Sequence, residues 1–342
     1  MSSLRAKISA VYLRALANGN VVFAPTTKRT VADSVTGLQF CVLIAPSLAK
    51  KPGGRASPLP TSAGAVAPAR PNPFLPYDPA LWVADILPGN THVLLLNKFP
   101  VIADHVLVVT KGIIAGWYWL SLMVTIIAPD FMDQDEPMSL ADVAATLVTL
   151  GAMDPADHAL AFYNCGRESG SSQPHRHVQV FPNASPVPMD ALIRSVPDHH
   201  LGMSVTTSMW NASIPDVQCK IDTIERLPFH HRLTRRRTDA SESSDKEALE
   251  LHAAYTGHLH ALAAAIGFTP TTTGSVLPHN VLLTRDWMLV VPRSRSHSTT
   301  EPRIGLNAVA YAGSVLVTSE GAADGLVGRV GDVVCECAYP RV

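Results

Sequence analysis

Three stretches of the chain carry apolar residues at the three- and four-residue spacing of an amphipathic helix. Ser139 and Ser244 precede two of them, each with an acidic residue three positions later, which indicates a capped helix start. Gly151 and Gly267 follow these two stretches and are predicted to end the helices. The predicted apolar faces consist of Leu4, Ile8, Val11 and Tyr12; Val143, Leu147 and Leu150; and Ala248, Leu251, Tyr255, Leu259, Leu262 and Ile266.

Shorter apolar runs between turn-forming residues predict strands. Residues 92–96 and 105–110 are separated by a short loop that begins Asn97-Lys98, a spacing suited to an antiparallel pair. Residues 175–181 alternate strictly, which places His175, His177, Gln179 and Phe181 on one face. The remaining predicted strands are residues 38–45, 159–163, 275–283, 287–291 and 309–317.

The composition narrows the class of protein. The 342 residues include 27 basic and 28 acidic side chains, a net charge of −1, so no nucleic-acid partner is predicted. Hydrophobic residues make up 47% of the chain, enough for a packed core in about two domains or one large one. The five cysteines are scattered without a C-x-x-C pair, which favours a reducing compartment. We predict the cytoplasm, with a nuclear or mitochondrial pool as the alternative.

Three segments stand outside the regular pattern. Residues 55–79 contain seven prolines and are predicted to be an extended, mobile connection, and residues 234–246 are predicted to be a solvated loop. Residues 112–128 carry no charge over 17 positions, the lower limit for crossing a bilayer. We favour a buried element, or a segment foreign to the working protein, over a membrane helix. A basic N-terminus leaves a transit peptide as the alternative to an ordinary first helix.

The candidate chemistry is concentrated in residues 163–181, YNCGRESGSSQPHRHVQVF. His175 and His177, at alternate positions of a strand, lie ~7 Å apart on one face, close enough to act on one phosphate group. The stretch from Gly166 to Gln173 is rich in glycine and serine and is suited to a phosphate cradle of backbone N–H groups and hydroxyls. Zinc ligation with Cys165, or two plain surface histidines, remain alternatives. The other histidines are interpreted as surface residues: His199, His200, His252, His258 and His260.

The motif N-C-G-x-x-S-G-S-S-Q-x-H-x-H-x-Q resembles the signature of the ATP adenylyltransferases, also called diadenosine tetraphosphate phosphorylases. The resemblance extends to PSLAKKP at 46–52, NTHVLLLNKFP at 90–100, PHNVLLTRDWMLVVPRS at 278–294 and LNAVAYAG at 306–313. It implies an α+β fold of the histidine-triad superfamily, in the galactose-1-phosphate uridylyltransferase branch: an antiparallel sheet with helices on one side. Relatives have a short polar link where this chain has residues 112–128, so that segment is predicted to be inserted.

The resemblance also implies a mechanism. His177 would attack the α-phosphorus and form a covalent adenylyl-histidine, which phosphate then cleaves. Because attack needs a neutral imidazole, we expect a backbone carbonyl to hold the His177 tautomer, with His175 supporting it and contacting phosphate. Gln179 stands where hydrolases of the superfamily carry a third histidine. An amide cannot protonate a leaving group, which favours transfer between phosphates.

The site is expected to draw on both halves, residues 1–190 carrying the catalytic motif and residues 191–342 completing it. The expected partners are dinucleoside polyphosphates, ATP, ADP and phosphate, with Mg²⁺ or Mn²⁺ carried by the substrate phosphates and no metal bound by the protein alone. A hexose-1-phosphate uridylyltransferase and a nucleotide-binding sensor without turnover are the alternatives. The residues expected to contact substrate are Lys51, Asn97, Lys98, Asn164, Gly170, Ser171, Ser172, Gln173 and Gln179, with Asn280 and Arg293 closing the site.

Overall fold

The structure is a computed structural model that describes most of the chain. The described residues are 3–50, 72–86, 91–111, 132–153, 158–183, 186–196, 223–236, 244–270 and 276–341. The apolar segment 112–128, the larger part of the proline-rich stretch, Lys51, His199 and His200 therefore lie outside the described residues. No helix within the described ranges has both the length and the apolarity required to cross a bilayer.

The three predicted helices are present. α1 (Leu4–Ala17) buries the predicted face. α2 (Leu140–Ala152) starts with a capping box formed by Ser139 and Asp142, as predicted, and runs one residue past Gly151. α4 (Ser244–Ala265) ends just before Gly267, whose φ of 63° suits a residue without a side chain. Three short helices were not predicted: α3 (Pro188–Ser195), α5 (Glu320–Asp324) and α6 (Val330–Cys337).

Eight strands form one antiparallel sheet in the order β3-β4-β5-β7-β6-β9-β10-β8. The pairing of β6 with β9, next to the sheet centre, joins the catalytic motif to the C-terminal part of the chain, with Asn164 opposite Asn280. The predicted pair β4 and β5 is antiparallel, as expected. The strands are β3 (Trp82–Ile86), β4 (His92–Leu96), β5 (Val106–Thr110), β6 (Leu160–Cys165), β7 (His177–Phe181), β8 (Arg232–Arg235), β9 (His279–Leu283) and β10 (Trp287–Pro292).

Both faces of this sheet are covered. One face packs on α1, α2 and α4 through a single apolar cluster that includes Val178 and Val180. The other face packs on a smaller sheet of β1 (Thr27–Ala32), β2 (Gln39–Ile44) and β11 (Ser314–Val317), and α3 and α6 contribute to the same cluster. The predicted α+β architecture, an antiparallel sheet with helices packed on it, is therefore confirmed, but helices lie on both sides of the large sheet, because α3 and α6 also bury apolar residues against its second face.

Two further predictions were wrong. Residues 234–246 do not form a solvated loop where they are described: Thr234 and Arg235 belong to β8, and residues from Ser244 onward are helical. His258 is not a surface residue, since it is fully buried and its Nε2 bonds the Thr234 hydroxyl at 2.6 Å. Both errors come from reading charge and polarity without knowing that β8 pairs with β10 against α4.

Candidate active site

His177 is the first residue of β7 and lies at the sheet centre with 6% of its surface exposed. Its Nδ1 donates to the His175 carbonyl at 2.8 Å. A carbonyl can only accept, so Nδ1 carries the proton and the lone pair is on Nε2. The prediction that a backbone carbonyl holds the His177 tautomer is thus confirmed. Burial lowers the pKa of His177 to about 4, with a further lowering from nearby His175. The ring is therefore a neutral imidazole at pH 7.

His175 lies outside the strand, in an isolated bridge with Asp133, and is fully buried. Its Nε2 donates to the Thr110 carbonyl at 2.7 Å, and its Nδ1 accepts from the Asn72 amide at 3.0 Å. Burial lowers its pKa, against the raising effect of the Thr110 bond. Because both ring nitrogens have protein partners, the geometry favours support of His177 over the predicted contact with phosphate.

Gln134 holds the backbone of His177 and has no signal in the sequence. Pairing of β6 with β7 stops at Phe162 and Gln179, so Asn164 and His177 would be opposite each other further along the same register. The Gln134 side chain takes up this gap. Its Oε1 accepts from the His177 N–H at 2.8 Å, and its Nε2 donates to the Asn164 carbonyl at 2.9 Å. Gln134 thus separates the two strands beside His177.

The first part of the predicted cradle, Gly166–Gly170, is tied to the C-terminal half. Arg293 is fully buried and donates all five of its N–H groups to protein acceptors, including the Ser169 carbonyl at 3.1 Å and Asn280 Oδ1 at 2.5 Å. Asn280 in turn donates to the Ser169 carbonyl and to Asn164 Oδ1. The remaining three Arg293 bonds go to the carbonyls of Arg295, Leu306 and Cys337.

Gly170 allows this close packing. Its φ is 87°, and a Cβ at this position would collide with the Leu306 carbonyl. The predicted site residues Gly170, Asn280 and Arg293 are therefore brought together beside Asn164, but their polar groups are used within the protein. We call Gly166–Gly170, Asn280 and Arg293 the floor of the cradle.

Beyond Gly170 the side chains of the cradle are no longer bonded to other described residues. Ser172 is exposed and Ser171 and Gln173 are half-buried. None of the three has a side-chain hydrogen bond to another described residue. The Nδ2 group of Asn164 and the amide of Gln179 likewise have no acceptor in the described part of the chain. These polar groups are available to a ligand, and we call Ser171–Gln173 the rim of the cradle.

Asn97 and Lys98 lie further away. Asn97 donates to His105 Nδ1 at 3.2 Å and accepts from the Phe99 N–H at 3.0 Å, which makes it a turn residue. The β4–β5–β7 register separates Asn97 from His177 by four positions and two strands, roughly 16 Å from ordinary strand spacings. A contact from here would reach the far part of a long ligand, and it stays a prediction, as does Lys51.

A buried charge network supports the motif from behind. Arg176, between the two histidines, is 2% exposed and pairs with Asp142 at 3.3 Å and with Glu136. Asp142 also accepts from His92 Nε2 at 2.8 Å. Burial favours the neutral acid, but the His92 bond and the Arg176 charge hold the pKa of Asp142 below its usual value. The network ties the start of α2 to the histidine motif.

The zinc alternative finds no support in the geometry. No group of three His, Cys, Asp or Glu side chains is placed to hold a metal within the described ranges. Cys165 is buried, and burial raises the pKa of its thiol far above the usual range, which disfavours the thiolate that zinc needs. What the site can do is nucleophilic attack by a neutral imidazole beside amide and hydroxyl donors suited to phosphate oxygens.

Two family models match the chain. The Ap4A phosphorylase N-terminal domain matches residues 1–123 and 120–195, and the ATP adenylyltransferase C-terminal domain matches residues 225–340. The two N-terminal matches meet inside residues 112–128, where an insertion is predicted. The division of the chain at residue 190 stays a prediction, and the large sheet takes strands from both sides of it.

Relatives of known activity resemble the chain over almost its full length. Diadenosine 5',5'''-P1,P4-tetraphosphate phosphorylase 2 of Saccharomyces cerevisiae is 27% identical over 353 residues, covering 99% of this chain and 95% of the relative. Protein APA1 of the same yeast is 26% identical, covering 98% and 94%. The crystal structure of yeast Ap4A phosphorylase Apa2 in complex with Ap4A matches with a TM-score of 0.72 and 26% identity, over 100% of this chain and 99% of that one.

Proposed function

Because the chain belongs to the family of Ap4A phosphorylases and ATP adenylyltransferases, we propose that it cleaves diadenosine tetraphosphate with phosphate to give ADP and ATP, reversibly. The observation that carries this proposal is His177: a buried, neutral imidazole whose Nδ1 donates to a carbonyl, which leaves the lone pair on Nε2. A yeast relative with bound Ap4A supports the substrate class.

In the first step, His177 Nε2 attacks the α-phosphorus. The N–P bond forms as the bond from that phosphorus to the bridging oxygen breaks, and ATP leaves with the electron pair. The Nδ1 proton stays on the ring, held by the His175 carbonyl, so the adenylyl-imidazole carries a positive charge that makes it a good donor. We assign the binding of phosphoryl oxygens to the side-chain N–H groups of Asn164 and Gln179 and to the rim hydroxyls, none of which has a partner among the described residues.

In the second step, an oxygen of inorganic phosphate attacks the same phosphorus. The N–P bond breaks, the electron pair returns to Nε2, and ADP is released from a regenerated neutral His177. Both leaving groups, a nucleoside polyphosphate and a ring-protonated imidazole, depart without a general acid. Gln179, half-buried two positions along the strand, is therefore sufficient as a hydrogen-bond donor.

We propose that a divalent cation, Mg²⁺ or Mn²⁺, arrives with the substrate phosphates. The described residues offer no three-ligand cage, and the rim supplies neutral hydroxyl and amide groups, so phosphate oxygens would provide most of the ligands. The ion would neutralise phosphate charge. We also infer a reducing compartment, the cytoplasm, since the described cysteines Cys41, Cys165, Cys335 and Cys337 are free thiols.

Trapping the covalent intermediate tests the proposal. Wild-type protein mixed with radiolabelled diadenosine tetraphosphate should retain label as an acid-labile, base-stable phosphoramidate, and added phosphate should release it as ADP. His177→Ala should retain none and lose phosphate-dependent ATP release by about 10³-fold or more. His260→Ala, at an exposed histidine of α4, is the matched control and should behave like wild type. Normal turnover by His177→Ala would refute the proposal.

A further inference from the structure

We propose that Asn72 is a positioning residue that keeps His175 in its neutral Nε2–H form and thereby keeps a positive charge away from the nucleophile His177. The proposal rests on the proposed function for its catalytic consequence, but its structural core, the protonation state of His175, can be measured without turnover. Asn72 lies at the end of the proline-rich stretch, which the sequence predicts to be a mobile connection. From Asn72 onward the described part of that stretch instead packs on the catalytic motif.

The hydrogen bonds around Asn72 fix their own directions. The Phe74 N–H can only donate, and it donates to Asn72 Oδ1 at 2.9 Å. The Asn72 Nδ2 group therefore faces His175 Nδ1 at 3.0 Å as a donor. On the other side of the ring, the Thr110 carbonyl at 2.7 Å can only accept, so His175 Nε2 carries the proton. The series of hydrogen bonds from the Phe74 N–H through Asn72 and His175 to the Thr110 carbonyl is therefore consistent only with the Nε2–H tautomer of His175.

Protonation of His175 at Nδ1 would disrupt this series of hydrogen bonds. A proton on Nδ1 would point at the Nδ2 hydrogens of Asn72, whose oxygen cannot turn towards the ring without losing the Phe74 N–H. The charged groups nearby are directed elsewhere: Arg176 pairs with Asp142 and Glu136, and Lys111 pairs with Asp85 at 3.0 Å. Asp133 is bridged to His175 through the backbone, and His177 is the neighbouring titratable ring. Burial of His175 acts in the same direction as Asn72, because it too favours the neutral ring.

The same turn reaches the nucleophile. The Phe74 ring lies 5.4 Å from the His175 ring in an edge contact and 5.4 Å from the His177 ring. The His175 carbonyl is also the acceptor for His177 Nδ1. Since the adenylyl-imidazole formed at His177 carries a positive charge, a second charge on the adjacent His175 ring would oppose its formation. A neutral His175 is therefore part of the catalytic geometry.

The decisive variant is Asn72→Asp, which is nearly isosteric and replaces the amide donor with a carboxylate acceptor. It should raise the pKa of His175 by about one to three units. In wild-type protein, long-range ¹H–¹⁵N NMR should show the Nε2–H tautomer of His175, neutral at pH 6.5. In Asn72→Asp both ring nitrogens should be protonated at that pH. Asn18→Asp, at the exposed cap of α1, adds the same charge elsewhere and should leave His175 unchanged.

The rate of enzyme adenylylation supplies the catalytic readout. At pH 6.5 the adenylylation of Asn72→Asp should be at least tenfold slower than that of wild type. Its rate should rise towards the wild-type rate as the pH passes the raised pKa of His175. Purely structural damage would instead lower the rate equally at every pH. Asn72→Ala introduces no charge and leaves the Thr110 carbonyl bound to Nε2, so it should keep the Nε2–H tautomer and slow the reaction less than Asn72→Asp, without a new acid limb. If His175 titrates identically in wild type and Asn72→Asp, the proposal is wrong even if His177 is the nucleophile. If it titrates as expected but the pH profiles coincide, the catalytic consequence is wrong.

Discussion

The floor and the rim of the cradle are consecutive parts of one glycine- and serine-rich stretch, yet the protein uses them in opposite ways. In the floor, the buried Ser169 hydroxyl donates to the Gly166 carbonyl and its own carbonyl accepts from Asn280 and Arg293. In the rim, the polar groups of Ser171–Gln173 have no described protein partner. The floor therefore sets the shape of the cradle, and the rim leaves hydrogen-bonding capacity for a ligand.

Arg293 makes the contrast sharper because it is charged. Its five hydrogen bonds go to neutral oxygens, and no carboxylate within the described ranges forms an ion pair with it. Its planar group also lies over the Tyr311 ring, 5.1 Å from the centroid. A buried guanidinium beneath the cradle favours an anion in the cradle above it.

Removal of the Arg293 side chain should have the largest effect on the floor. Arg293→Met leaves five acceptors without their donor, and we expect a loss of about 3–5 kcal/mol in the free energy of unfolding. Urea denaturation followed by circular dichroism measures it. The matched control is Arg295→Met, at a half-exposed arginine whose ion pair with Glu336 spans 3.7 Å, and it should cost less than about 1 kcal/mol. Equal losses in the two variants would contradict the assignment of Arg293 to the floor.

Acid should lower the stability of the folded protein through its buried histidines. His279, next to Asn280, has a pKa lowered by burial to about 4, as do His177 and His231, and burial lowers that of His258 to about 3. Below pH 6.5 these histidines bind protons in the unfolded chain but stay neutral in the folded protein. Stability is therefore complete above pH 6.5 and falls towards pH 4, by about 1.4 kcal/mol per pH unit for each histidine.

Urea titrations at a series of pH values test this dependence. His260→Ala, which removes an exposed histidine, should leave the slope of unfolding free energy against pH unchanged. A slope near zero between pH 6.5 and 4.5 would show that the buried histidines take up protons in the folded protein.

The smallest expected effect lies at the rim. Ser172→Ala should leave the unfolding free energy within about 0.5 kcal/mol of wild type and raise KM for diadenosine tetraphosphate by about three- to tenfold, because it removes one hydroxyl available to phosphate. Ser169→Ala is the paired variant in the floor and should lower stability by about 1–2 kcal/mol. If Ser172→Ala changes stability and leaves KM untouched, the division between floor and rim is wrong.

Local pattern accounts for what the sequence predicted correctly. The capping box at Ser139, the helix face of α4 and the strand pair β4–β5 depend on residues close in the chain, where periodicity and turn chemistry dominate. The need for a neutral imidazole at His177 likewise predicted its carbonyl partner, and the catalytic role of His177 stays a prediction. The floor and the rim, in contrast, look alike in sequence, because nothing local distinguishes Ser169 from Ser172.

The sequence by itself determined the class of fold, and its spacing, residue types and family resemblance marked His177 and the polar stretch before it as the candidate site. Only the tertiary structure decided which polar groups face the protein and which face a ligand. Asn72 meets His175 across 103 positions, Arg293 meets Ser169 across 124, and Gln134 meets His177 across 43. Contacts at such separations depend on how strands pair and helices pack, and no periodicity along the chain encodes them.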